Sequence, residues 1–157
     1  MKKKSQRRIA REKVLQALYA YQINGEGLSM HTDTMIADIQ SENDRTFARK
    51  LIDTVVANSN ELNKKIEEKV SNWEIERIAI IDKILLRMGL AELLYFKDIP
   101  PKVSLNEVID LSKEFSSANS GKFINGILDA VLKDLKKSGK LNKVGRGLID
   151  KKLFSEK

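Results

Sequence analysis

Along most of the chain apolar residues recur at three- and four-residue intervals, the spacing of one face of an α-helix. From Ser5 to about Asn24 the positions Ala10, Val14, Ala17, Leu18 and Tyr21 follow it, until Gly25 and Gly27 interrupt. A weaker segment, Asp33 to Gln40, carries Met35, Ile36 and Ile39; a stronger one opens at Asn43 with Phe47, Leu51, Ile52, Val55 and Val56. A further helix near Asn60 presents Leu62, Ile66 and Val70. It ends where Ser71 and Glu74 have capping-box spacing and Trp73 marks a junction. The run Ile75 to Phe96 is apolar nearly all round (Ile78, Ile81, Leu85, Met88, Gly89, Leu93), which predicts one buried central helix. Pro100 and Pro101 break the chain. Ser104 and Glu107 then repeat the capping-box spacing ahead of Leu105, Val108, Ile109 and Leu111. A last helix is predicted over Ser120 to Lys137, with Ile124, Ile127, Leu128, Val131 and Leu135 inward.

These segments amount to about seven helices in an all-α domain over residues 1–138, because the glycine and proline punctuation of a many-stranded protein is missing. Residues 139–157, rich in Gly and Lys, lose the period and are expected to form a basic, flexible tail, at least until Leu148 to Phe154.

Composition narrows the function. The formal charge is +7, yet Lys2, Lys3, Lys4, Arg7, Arg8, Arg11 and Lys13 against Glu12 place +6 of it in the first 13 positions. Such concentration suits an anion-binding surface, and RNA, DNA, an acidic membrane or an acidic protein would all satisfy it. The absence of cysteine excludes disulfides, thiolate nucleophiles and cysteine-ligated zinc. No apolar stretch approaches the roughly 18 residues of a membrane span and no h-region follows the basic start, so a cytoplasmic protein with no membrane partner is expected.

Chemistry has little foothold. His31, the only histidine, has no companion ligand, so no metal is expected. Neither a Walker-type loop nor a dinucleotide fingerprint is present, so no cofactor is expected. Asp82, Glu92, Glu107 and Asp110 form no acid–base arrangement and read as surface charges or caps, which leaves no catalytic residue. Trp73 and the four methionines read as packing residues.

Two constellations suggest binding. On a helical projection Lys4, Arg7, Arg8 and Arg11 share an arc, and Tyr19 lies only about 20° from Arg8. Guanidinium groups clamp phosphates and a tyrosine ring accepts an unpaired base, a combination that suits single-stranded RNA better than duplex. A solvated terminal charge run beside a core-edge tyrosine fits the same residues. The second is Asn119, Ser120, Gly121, Lys122 and Phe123, where a polar turn meets a helix N-terminus. By pattern alone, a helix start with its first core aromatic is favoured there.

Four stretches in order carry a family resemblance. Arg7-Arg8-Ile9-Ala10-Arg11-Glu12 leads to Gln16-Ala17-Leu18-Tyr19. Ile81-Asp82-Lys83-Ile84-Leu85-Leu86-Arg87 precedes Ala91-Glu92-Leu93. Asp98-Ile99-Pro100 and Val103-Ser104-Leu105-Asn106-Glu107 follow, then Lys122-Phe123-Ile124-Asn125-Gly126-Ile127-Leu128-Asp129. Together they resemble the NusB family of transcription antitermination factors. The resemblance implies two packed helical subdomains that bind the boxA element of ribosomal RNA leaders as a single strand. It also implies NusE, a small-subunit ribosomal protein, as partner, and entry into the RNA polymerase antitermination complex. By motif match Arg7, Arg8, Arg11, Tyr19, Lys122 and Phe123 would contact RNA. Asp82 would lie near the partner surface, and Asn125 and Gly126 would serve helix and close packing. A homodimer that hides the basic helix also fits. Ser116, Asn119 and the tail depart from the family pattern, which leaves the loop before Lys122 open.

An RNA cytosine methyltransferase fronted by such a domain is the enzymatic alternative, but this sequence shows neither a cysteine nucleophile nor a methyl-donor loop. A helical bundle that binds only protein is the third reading. Discrimination between boxA and a scrambled strand at fixed salt separates it from RNA recognition.

Overall fold

In the computed structural model, residues 4–149 are described, with the side chains of 72–74 excepted. Eight α-helices, a 3-10 turn and no strand occur among the described residues. The chain divides into two compact units, Met1–Asn58 and Ser59–Lys157.

In the first unit, α1 (Gln6–Asn24) begins where the Ser5 hydroxyl accepts a hydrogen bond from the Arg8 amide at 3.0 Å and ends at Gly25, whose φ of 75° is open to glycine at little cost. Its buried stripe is Ala10, Val14, Leu15, Ala17 and Leu18. The second helix, α2 (Leu28–Ile36), starts five residues before the predicted segment. The apolar triplet Met35, Ile36, Ile39 misled: Ile39 reaches the core from a turn, its amide bonded to the Ile36 carbonyl at 3.0 Å, while Thr32 and Ile36 supply the inward face. One consequence is that Met30 projects into solvent instead of packing, whereas Met88 is core. Ser41 caps α3 (Glu42–Ala57) through the Asp44 amide, and Phe47, Ala48, Leu51, Ile52 and Val55 pack inward. Each of the three helices touches the other two.

The second unit opens with α4 (Ser59–Glu67), which buries Leu62 and Ile66. The predicted helix Ile75–Phe96 is two: α5 (Asn72–Arg77) and α6 (Ile80–Tyr95). Ala79 is extended (φ −60°, ψ 147°), and a kink made by one residue's backbone leaves no trace in an uninterrupted apolar run. The Trp73 side chain, read as packing, lies outside the described residues.

Helix α6 is packed by α4, α7 (Pro101–Phe115) and α8 (Ala118–Lys137). A Cβ on Gly89 would come within 2.7 Å of Leu128 and 3.3 Å of Val108, so glycine lets α7 and α8 close on α6. Gly126, by contrast, faces open space; the packing assigned to it belongs to Gly89 and Gly121.

Capping also differs from prediction. Pro101 occupies the first turn of α7, where its missing N–H costs nothing, so the helix starts before Ser104. Ser104 instead donates to the Glu92 carboxylate at 2.8 Å inside the core. Glu92, expected as a surface charge or a cap, is 0% exposed. Helix α8 begins two residues early because Ser117 caps it through the Ser120 amide at 3.1 Å.

After α8 the chain turns back over the unit. The Lys143 ammonium donates to the carbonyls of Glu92 (3.0 Å) and Phe96 (2.8 Å), at the C-terminus of α6. The Val144 amide donates to Lys97 O at 3.0 Å, and a 3-10 turn follows at Gly145–Leu148. A Cβ on Gly147 would overlap that same Lys97 oxygen, so only glycine fits. Of the segment predicted as a tail, residues 140–149 therefore have defined contacts; 150–157 lie outside the described residues.

Candidate nucleic-acid interface

Helical periodicity sets Arg7 and Arg11 one turn apart on α1, and α3 brings Asp44 and Phe47, themselves nearly one turn apart, against them. Arg7 Nε donates to Asp44 Oδ1 at 2.8 Å, and its guanidinium lies 4.1 Å from the Phe47 ring centroid. Arg11 stacks on the same ring at 5.0 Å and is only 2% exposed. This arrangement neutralises one cation and desolvates another, so part of the ladder clamps α1 to α3. Asp44 and Phe47 had drawn no notice in the sequence beyond the core role of Phe47, since only the α1–α3 crossing makes them a receptor for arginine. Lys4 Nζ donates to Glu12 at 2.5 Å, Arg8 is half-buried, and Tyr19 is 41% exposed. Tyr19 thus offers a ring to solvent about 16 Å along α1 from Arg8.

The second predicted group lies in the other unit. Asp82, in the first turn of α6, is 6% exposed rather than at the surface; its Oδ2 accepts from Ser120 Oγ at 2.7 Å. Ser120 also lies 3.0 Å from the hydroxyls of Ser116 and Ser117, so a serine cluster ties the α8 start to α6. Asp82 Oδ1 is buried without a hydrogen-bond partner. Leaving such an acceptor unsatisfied costs about 1–3 kcal/mol, which marks a place where a donor is wanted. A cleft of about 300 Å³ lies there, lined by Arg77, Ile78, Ala79, Asp82, Asn119, Ser120 and Phe123. Phe123 and Asp82 therefore share one cleft. Lys122, its neighbour in sequence, does not line it and is exposed on α8. The kink at Ala79 contributes a wall of this cleft, and no sequence signal pointed to it.

No group of three or more potential metal ligands occurs among the described residues. His31 Nε2 is 3.3 Å from the Asn24 amide nitrogen. No described helix is long and apolar enough to cross a membrane.

The model of the NusB family matches residues 8–133, a span that includes Arg8, Arg11 and Tyr19 of the first group and the whole of the second. The chain belongs to the NusB family. It is 43% identical over 155 residues to the transcription antitermination protein NusB of Salinibacter ruber, covering 98% of this chain and 97% of that one. Identity to NusB of Chloroherpeton thalassium is 42% over 149 residues, covering 92% of this chain and 69% of the relative. A crystal structure of the antitermination factors NusB and NusE in complex with double-stranded RNA superposes with a TM-score of 0.75 at 30% identity, covering 82% of this chain and 97% of that one.

Proposed function

We propose that this NusB-family chain is a transcription antitermination factor that binds RNA together with NusE and acts by binding, without catalysis, in the cytoplasm. The observation that carries the reading is the match, over nearly the whole of the related chain, to a NusB solved with NusE and RNA. Its target is the boxA element of ribosomal RNA leader transcripts, and with NusE it joins the RNA polymerase antitermination complex.

Arg8 and Lys122 supply charge to phosphates, Arg7, already paired through Nε with Asp44, adds only its remaining guanidinium N–H donors, and Tyr19 and Phe123 pack on bases or riboses. Arg11 acts through the Phe47 stack, which holds the basic face in position. The related structure contains duplex RNA, but the exposed Tyr19 ring favours a single strand here, because a stacked pair offers it no free base face. Asp82 serves the protein partner: it lines the cleft, and its Oδ1 has no hydrogen-bond partner in the free chain.

Fluorescence anisotropy tests this reading with a boxA strand, its scramble and a duplex of the boxA sequence, at fixed near-physiological salt, with and without NusE. Preference for the boxA strand that sharpens with NusE is expected. Equal weak binding to all three RNAs, unchanged by NusE, rejects it.

A further inference from the structure

The segment after α8 does more than close the unit: it completes a second cleft. The cleft is about 350 Å³, with the nearly buried Leu105 of α7 and Leu132 of α8 at its base and Leu148 of the 3-10 turn open beside them. Lys102, in the first turn of α7, and Lys133 and Lys136 of α8 form its rim. Leu148 is 68% exposed, although the turn that carries it is pinned by Gly147 against Lys97 and by Lys143 on the end of α6. A leucine held open to water beside three ammonium groups is an amphiphilic surface. Among the described residues one carboxylate lines it, Asp129, which is paired with Lys133 at 3.1 Å.

The chemistry that complements the cleft is an anion repeated at short intervals and joined to a flat apolar body. A single-stranded nucleic acid has that form: phosphates for the lysines, and a base face for Leu148. Volume agrees, since small-molecule pockets begin at about 300 Å³ and one nucleoside is at that small end. Lys133 and Lys136 lie at i and i+3, so they project from neighbouring points on one helix face toward successive phosphates. An acidic peptide would match the charge but has no flat ring for each anion.

We infer that this cleft is a second RNA-contacting site, which seats a nucleotide of the single strand flanking the boxA element, its base on the exposed Leu148 and its phosphates on Lys102, Lys133 and Lys136. The inference rests on the RNA-binding function proposed above and adds to it a use for α7, the C-terminal half of α8 and the segment that follows it.

The full chain is titrated with a boxA strand and with the same strand extended by about ten uridines on each side, for wild type and for the K102Q/K133Q/K136Q variant. Extension is expected to tighten wild-type binding roughly tenfold, and to steepen the salt dependence by about 2, at about 0.7 per phosphate contact on a single strand. The variant binds the short strand like wild type and loses both gains. Leu148→Ala, which leaves the charge unchanged, loses part of the affinity gain while keeping the salt slope. An extension without benefit, or a triple variant that keeps the benefit, overturns the inference.

A separate arm uses a ten-residue 4-thiouridine strand and light. Cross-links to residues 139–149 are expected, competed by unlabelled oligouridine and not by polyglutamate. Their absence, or competition by polyglutamate alone, overturns the cleft assignment. Failure of the boxA preference with the cross-link intact rejects the antitermination reading and leaves the cleft as a nucleic-acid site.

Discussion

The two units handle a cation beside an aromatic ring in opposite ways. On α1 the pair is internal: Arg7 and Arg11 stack on Phe47, and Asp44 neutralises Arg7. On α8 Lys122 stands in solvent and Phe123 turns into a cleft whose acid, Asp82, keeps one oxygen unsatisfied. The first arrangement spends its polar groups on fixing a surface; the second leaves one for a visitor. Substitutions on α1 should therefore mix stability with binding, whereas substitutions near the start of α8 should separate them.

Phe47→Ala should break the comparison most severely, since it removes a core ring and both cation–π contacts. A loss of about 3–5 kcal/mol is expected in urea unfolding. A loss below about 1 kcal/mol would mean that the stack adds nothing to ordinary surface contacts. Ser120→Ala probes the other unit: it deprives Asp82 of its remaining donor and should cost about 1–3 kcal/mol. Asp82→Asn should leave the stability of the free protein nearly unchanged yet weaken NusE binding, as calorimetry would reveal. Unchanged NusE affinity would remove Asp82 from the partner surface.

Tyr19→Ala should cost about 1–3 kcal/mol of boxA affinity, the scale of one base stacked on a ring, with the unfolding curve unmoved. A shifted curve with intact affinity would make Tyr19 a packing residue. Lys122→Ala should have the smallest effect, within about 0.5 kcal/mol on stability. The salt slope of RNA binding should fall by about 0.7 if it touches one phosphate.

Lys143 sharpens the contrast through pH. Burial pushes its amine down to about 8, against the attraction of Glu92 and Asp98. Between that pH and the ordinary lysine value near 10.5, the unfolded chain holds a proton that the folded chain has released. Stability from this group therefore rises as pH increases through that window, and below it the full cost of burying the charge is present. Lys143→Met should flatten the rise. An equal slope in both proteins would show that Lys143 is solvated in solution.

Much of the architecture was legible because a helix advertises itself locally. The stripes of α1, α3 and α8 and the Gly25 stop all depend on residues within a few positions of one another. The landmarks of the NusB family were readable for the same reason, as short segments in fixed order. Reading went astray where one residue carried two meanings. Ser104 and Glu107 have capping-box spacing, but Pro101 had already begun the helix and Ser104 was taken by Glu92.

By itself the sequence determined which faces are apolar, how many helices they make to within one, where the positive charge is concentrated and which family the chain joins. Tertiary structure alone decided which charges are spent and which are available. Arg11 is enclosed because α3 lays Phe47 across it; Glu92 is buried because α7 brings Ser104 to it and the segment after α8 brings Lys143 to the end of its helix. The Ala79 kink opens the Asp82 cleft within a run that reads as one helix. The physical reason is range. Helical periodicity and capping act between residues at most about four apart, whereas the pairing of a buried charge is set by helix crossings that join residues dozens of positions away.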